Sequence, residues 1–329
     1  MKRGRGIVWF MHVLGNLPVT WATGLGAALG WLLSVLPLRV ASARRLVLIN
    51  MLVCYPELSW REANRLARRS LIETGRNLAE FTTVWAQPVD HSLARVTETR
   101  GLDDLREAMD SPRPVLILSL HMSSWELMGL ILGRQGQMVI LYKPDENETI
   151  TELVRAGRER TGCQLAPANA SGVRTALGAL RGGGNVAILA DHHPGPRDPF
   201  APLFGHPVRT PGLVARLVQK QRPMVFFASC YRERGPRDVR VIFERDPAVE
   251  EAGTDEAILA AMNRGMERCI SRAPAQYHWP YKRFREGPQG PRNWYRQSRS
   301  ILKEARRNDD RAHLGLASPG VGETVERGQ

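Results

Sequence analysis

The sequence predicts an α/β fold: a central mixed sheet flanked by helices, preceded by an N-terminal apolar, membrane-anchoring helical segment. Three observations predict it. Short apolar runs alternate with stretches of helical spacing from about residue 114 to residue 271, the pattern of strands and helices packed as layers. No Lys, Arg, Asp or Glu occurs from Gly6 to Leu38. At 329 residues and 43% hydrophobic, the chain can bury a full core as one large domain, with or without a helical extension.

The charge-free front carries Trp9, Phe10, Trp21 and Trp31. A spanning helix needs about 20 apolar residues, and Val19 to Leu38 supplies that length after Pro18 interrupts the run. No A-x-A-like site precedes Arg39, so a retained anchor is expected in place of a cleaved signal peptide. Lys2, Arg3 and Arg5 on one side are matched by Arg39, Arg44 and Arg45 on the other, which leaves orientation open. The two halves around Pro18 can span the bilayer or lie in its interface, and in either case the flanking cations meet anionic headgroups.

Residues 58–85 place Ala63, Leu66, Ala67, Ser70, Leu71 and Thr74 on one helix face, with Arg61, Arg65, Arg68 and Arg69 elsewhere. This is a basic amphipathic helix, read equally well as a solvated surface. Strands are expected over Pro114–Leu120, Met138–Lys143, Asn185–Asp191, Pro223–Tyr231 and Asp238–Glu244. Helices are expected over Ser123–Arg134, Thr149–Thr161, Gly172–Leu180 and Asp255–Ser271. Near the end, Trp294, Tyr295, Ser298, Ile301, Leu302 and Ala305 line one face of a basic helix suited to lying on a membrane. From Gly315 the tail has the composition of disorder.

Lys and Arg number 46 against 33 Asp and Glu, a net charge of +13 that points to an anionic partner. Cys54, Cys163, Cys230 and Cys269 show no metal or disulfide spacing and fit a reducing compartment. No interleaved aromatic and basic platform marks a nucleic-acid binder.

The sharpest constellation is Ser119-Leu-His-Met-Ser-Ser-Trp-Glu126, which ends a buried strand and opens a helix. Ligand chemistry in open α/β sheets sits at the strands' carboxyl ends. Moving an acyl group from a thioester to an alcohol needs a base near neutral pH, and an imidazole has that pKa. A carboxylate on its far nitrogen fixes the tautomer, so His121 reads as general base and Glu126 as its partner. The plainer reading is that Ser123-x-x-Glu126 is a capping box. Asp191-His192-His193 superficially matches the Asp-His-His signature of metal-dependent phosphoesterases, but no second acidic ligand group is near the N-terminal strands.

The His121 to Glu126 block resembles the late acyltransferases of lipid A biosynthesis, a branch of the lysophospholipid acyltransferase superfamily marked by His, four residues, then Asp or Glu. Further blocks follow in order: Arg44 to Glu57, Tyr142-Lys-Pro144, Gly157-Arg-Glu-Arg160, Ala190 to Gly205, and Ala273 to Trp279 with Lys282-Arg-Phe-Arg285. A glycerophospholipid acyltransferase of the same superfamily is a closer rival than the phosphoesterase, but the chain lacks its Phe-Pro-Glu-Gly-Thr-Arg-like loop. The resemblance implies an acyl carrier protein thioester as donor, a phosphorylated glycolipid acceptor, and a catalytic domain on the cytoplasmic side of the inner membrane. It calls for no metal and no cofactor. A basic residue near Arg160 is part of the site in that family. Besides the catalytic pair, Lys143, Arg160, Asp191, Lys282, Arg283 and Arg285 are expected to bind substrate, the last three as a headgroup clamp around Phe284, while Asp191, ending a strand at a loop, is also read as orienting a partner base or as the start of an Asx-type turn. The chain thus divides into a membrane anchor (1–38), an acyltransferase domain (39–290), and a basic helix with a disordered tail (291–329).

Overall fold

The computed structural model describes residues 11, 13–38, 42–144 and 147–313. The basic residues Lys2, Arg3, Arg5 and Arg39, the aromatic pair Trp9 and Phe10, and the tail from Gly315 lie outside the described residues. Among the described residues the main sheet has seven strands: β1 (Val96–Arg100), β2 (Val115–Ser119), β3 (Met138–Tyr142), β4 (Gln164–Pro167), β5 (Asn185–Leu189), β8 (Met224–Gly235) and β9 (Asp238–Arg245). Their order is β1-β9-β8-β2-β5-β3-β4, and every pair is parallel except β8 with β9. Strands β6 (Phe200–Leu203) and β7 (His206–Arg209) form a separate hairpin.

The buried strands were legible because helices cover both faces of the sheet and require unbroken apolar runs such as Val-Leu-Ile-Leu in β2, all of it buried. β1 escapes that rule. It is an edge strand, Val-Thr-Glu-Thr-Arg, largely solvated, and its polar sequence carries no strand signal.

The longer helices are α1 (Val19–Val35), α2 (Ser42–Cys54), α3 (Trp60–Ala86), α4 (Leu102–Asp110), α5 (Trp125–Gly133), α6 (Glu148–Glu159), α7 (Ala170–Arg181), α8 (Gly212–Gln221), α9 (Asp255–Arg272) and α10 (Ser298–His313). α3 opens with a capping box in which Ser59 and Glu62 satisfy each other's backbone N–H groups. Its inward face, Ala63, Ala67, Ser70, Leu71 and Thr74, is buried, while Arg61, Arg65, Arg68 and Arg69 are exposed.

Two expectations about membrane-facing helices change. Among the described residues no helix is long and apolar enough to cross a membrane. The run expected to span from Val19 to Leu38 stops as a helix at Val35, because Leu36, preceding Pro37, is driven to extended backbone. α1 packs instead along α3, with Val19, Ala22, Thr23, Gly26, Gly30 and Ser34 facing inward. The apolar face of α10 is also taken by protein: Leu302 and Ser298 are buried, Ile301, Trp294 and Tyr295 pack on the core, and the helix rests against α2 and α3.

Candidate active site

The parallel pairing of β2 with β5 builds the site. Their register sets Ser119 opposite Leu189, so His121 and Asp191, each two residues beyond, leave the carboxyl end of the sheet side by side. Asp191 Oδ1 lies 2.8 Å from His121 Nδ1, and Oδ2 accepts the His121 backbone N–H at 3.0 Å. The carboxylate is 2% exposed, whereas the imidazole side chain keeps 18%. Burial opposes the Asp191 charge, but His121, through its charge and hydrogen bonds, and His192 outweigh it and hold the carboxyl well below the usual range. With Nδ1–H given to Asp191, Nε2 carries the lone pair.

The loop bearing His121 is zipped to a second segment. His278 donates its backbone N–H to the His121 carbonyl at 2.9 Å, Ser123 donates to the Gln276 carbonyl at 2.9 Å, and Met122 bridges to Tyr277. Burial first, and then the charge of Asp191, hold the Tyr277 hydroxyl well above its ordinary pKa. His192 stacks on His121, ring centroids 3.6 Å apart and 2° from parallel, and on Tyr281 behind it at 4.3 Å. Trp125 meets the His121 ring edge-on at 5.2 Å. Burial above all pulls both His192 and His278 down to about 4, so both are neutral at pH 7.

Glu126 is placed differently from its expected role. It sits in the first turn of α5 and its carboxylate takes the fork of Arg158 from α6, with Nε at 2.8 Å, and the indole N–H of Trp85 from α3 at 3.0 Å. Burial would raise the Glu126 carboxyl, and Arg158 more than offsets it, holding the group below its ordinary value. The carboxylate hydrogen-bonded to His121 is therefore that of Asp191. Nor is Glu126 half of a capping box: the helix cap is Ser124, whose hydroxyl donates to Glu80, and the buried Ser123 hydroxyl has no partner at a left-handed φ of 49°.

Of the cations expected to bind substrate, Arg283 interacts electrostatically with Asp191 and His192. It is 3% exposed, donates from Nη1 to the Arg209 carbonyl at 2.7 Å, and has no partner at Nε or Nη2. Burial lowers its pKa, against the favourable charges of Tyr277 and Asp191. Lys143, Lys282 and Arg285 are exposed, with Arg285 3.0 Å from His193 Nδ1. Arg160 serves the end of α3, donating to the carbonyls of Val84 and Gln87. Sequence reasoning missed Arg158, Trp85, Tyr277 and His278 as parts of the site. For Arg158, Tyr277 and His278 the signal was present in the blocks Gly157–Arg160 and Ala273–Trp279, but contacts across helices decide which residue of a block points inward, and Trp85 lies in neither block.

Ligand atoms of His121, Asp191 and His192 lie within 4.8 Å of one another, close enough to hold an ion. The stacked rings fit one poorly, since nitrogen lone pairs lie in the ring plane and those of two parallel rings do not converge. His193, the third member of the Asp-His-His motif, instead faces the Pro194 carbonyl and Arg285.

Residues 6–286 match the model of the bacterial lipid A biosynthesis acyltransferase family. The chain is 29% identical over 301 residues to the lipid A biosynthesis lauroyltransferase of Escherichia coli (strain K12), covering 87% of this chain and 92% of the relative. It is 28% identical over 296 residues to the palmitoleoyltransferase of the same organism, covering 89% and 93%. A lipid A biosynthesis acyltransferase of Haemophilus influenzae is 24% identical over 278 residues, covering 83% and 86%.

Proposed function

Because the chain belongs to the bacterial lipid A biosynthesis acyltransferase family, we propose that it moves a fatty acyl group from an acyl carrier protein thioester to a hydroxyl of a phosphorylated lipid A precursor. The site of action is the cytoplasmic face of the inner membrane, where anionic lipid holds the basic chain. The observation that carries the mechanism is the hydrogen bond from His121 Nδ1 to the buried Asp191 carboxylate.

The acceptor hydroxyl attacks the thioester carbonyl while His121 Nε2 takes its proton. Asp191 fixes the tautomer and stabilises the imidazolium that forms. Collapse of the tetrahedral intermediate breaks the carbon–sulfur bond, and the imidazolium returns its proton to the departing thiolate. Glu126 acts at one remove: its buried pair with Arg158 ties α5 to α6 and Trp85 and fixes the helix that follows the base. Arg283 supports an acceptor phosphate, its unpartnered nitrogens being suited to an anion. The +13 charge suits both an acidic carrier and a phosphorylated lipid.

His121→Ala, assayed with an acyl carrier protein thioester and a lipid A precursor, should lose about 10²–10⁴-fold in turnover. Turnover within about tenfold of wild type overturns the assignment. Strong chelators should leave wild-type turnover unchanged, and activity restored by added Zn²⁺ or Mn²⁺ would favour the metal reading.

A further inference from the structure

We infer that α1 lies in the plane of the membrane surface, half inserted into an anionic leaflet, and does not cross it; this deepens the membrane seat of the proposed function and rests on it. The helix has two unlike faces. Toward the protein it presents small residues at backbone contact: a Cβ built on Gly26 would stand 2.2 Å from the Gly75 carbonyl oxygen, and one on Gly30 2.2 Å from that of Leu71. α3, on the other side of that contact, is a helix of the catalytic domain, its Glu73, Asn77 and Glu80 bound to the buried Arg232. One flank of α1 is thus sealed along its length by a helix that is polar within, so lipid cannot surround it.

Away from the protein the side chains are large and apolar. Trp21 (68% exposed), Leu25, Leu29, Leu32 and Val35 form an outward face, and Leu78 of α3 adds to it beside the Gly75 seam. A helix apolar on its outer face and sealed on its inner one suits the interfacial position. Its 17 residues reach about 26 Å, short of the roughly 30 Å hydrocarbon core.

Charge at its end identifies the occupant as lipid. Arg45 donates to the Leu38 carbonyl at the C-terminal end of the apolar face, while Arg44, 8% exposed, turns inward to the Leu36 carbonyl at 2.7 Å and to Asn64 at 2.9 Å. Arg44 is lowered first by burial and then by the charge of Arg68, which is exposed and stands with Arg45 as the cations open to a lipid surface at this end. Cations beside an inserted apolar face match anionic headgroups. A second copy of this equally basic chain would set like charges together.

The test places single cysteines at the exposed positions Asn16 and Pro37, flanking α1; the native cysteines are buried. A membrane-impermeant maleimide is applied to spheroplasts and to inside-out vesicles. An in-plane helix labels at both sites from the same side, whereas labelling from opposite sides means a spanning helix and overturns the inference. In parallel, Trp21→Ser/Leu25→Ser/Leu29→Ser should bind phosphatidylethanolamine–phosphatidylglycerol vesicles about a hundredfold more weakly. Its turnover on detergent-dispersed acceptor should be unchanged. Unchanged vesicle binding, or a wild-type dimer that the triple variant dissolves, also overturns it. The labelling needs no enzyme assay, so failure of the acyl-transfer reading leaves its outcome readable.

Discussion

At the scale of single residues, His121 and Asp191 were visible in the sequence because each ends a buried strand at a loop, the position where α/β sheets hold reactive groups. The sequence pairs His121 with Glu126 and offers Asp191 only as a residue that orients substrate or a partner base. Glu126 is near in sequence, but the strand register brings Asp191, 70 positions on, to 2.8 Å. The two carboxylates are separable by experiment. Asp191→Asn keeps size and removes the charge that stabilises the imidazolium, so turnover should fall about 10²–10⁴-fold. Glu126→Gln takes the charge from a buried pair with Arg158 and should cost about 3 kcal/mol of stability. A capping residue would have tolerated Gln without loss. Urea unfolding with turnover measured beside it checks both: Glu126→Gln melting as wild type while nearly dead would return Glu126 to the chemistry.

At the scale of elements, the buried strands and long amphipathic helices were legible because burial imposes apolar runs or a 3.6-residue spacing. The edge strand β1, the short β4 (Gln-Leu-Ala-Pro) and the hairpin of β6 and β7 were not, since β1 is polar and each of the others is only four residues long and carries a proline. The relation of α1 to α3 was also hidden. An apolar run reads as a membrane span whether lipid or protein covers its far side, and only the glycine contacts show which. Those contacts make a prediction within one helix. Gly26→Ala would press a methyl group onto the Gly75 carbonyl and should destabilise by about 1–3 kcal/mol. Gly24→Ala, two residues earlier with open space at its Cβ, should stabilise by about 0.5–1 kcal/mol through helix propensity. Equal effects in thermal unfolding would mean that α1 does not pack on α3 through this face.

At the scale of the whole molecule, the site ties global stability to pH, because His192 and His278 are folded into surroundings that refuse a proton. Each is pulled down to about 4, chiefly by burial, whereas the unfolded chain protonates at about 6.5. Above 6.5 neither state binds the proton and stability is unaffected. As pH falls from about 6.5 toward 4 the unfolded state takes up protons that the folded state excludes, so stability declines, by at most about 1.4 kcal/mol per pH unit for each group. Asp191 acts in a separate range: its carboxyl is held low when folded, so the stability it confers is lost only below about 3.9. In the window from 6.5 to 4 these two imidazoles act together with His193 and His206, which burial also lowers, so a single substitution changes the slope in part. His192→Phe retains a flat ring against His121 and Tyr281 and removes the titrating group, so its urea midpoint should fall less steeply than wild type across that window. Its midpoint at pH 7.5 should stay close to wild type, since a neutral ring is replaced by another. A profile parallel to wild type between 6.5 and 4 would show that His192 takes up its proton without penalty in the folded protein, and the neutral stack over the base would have to be abandoned.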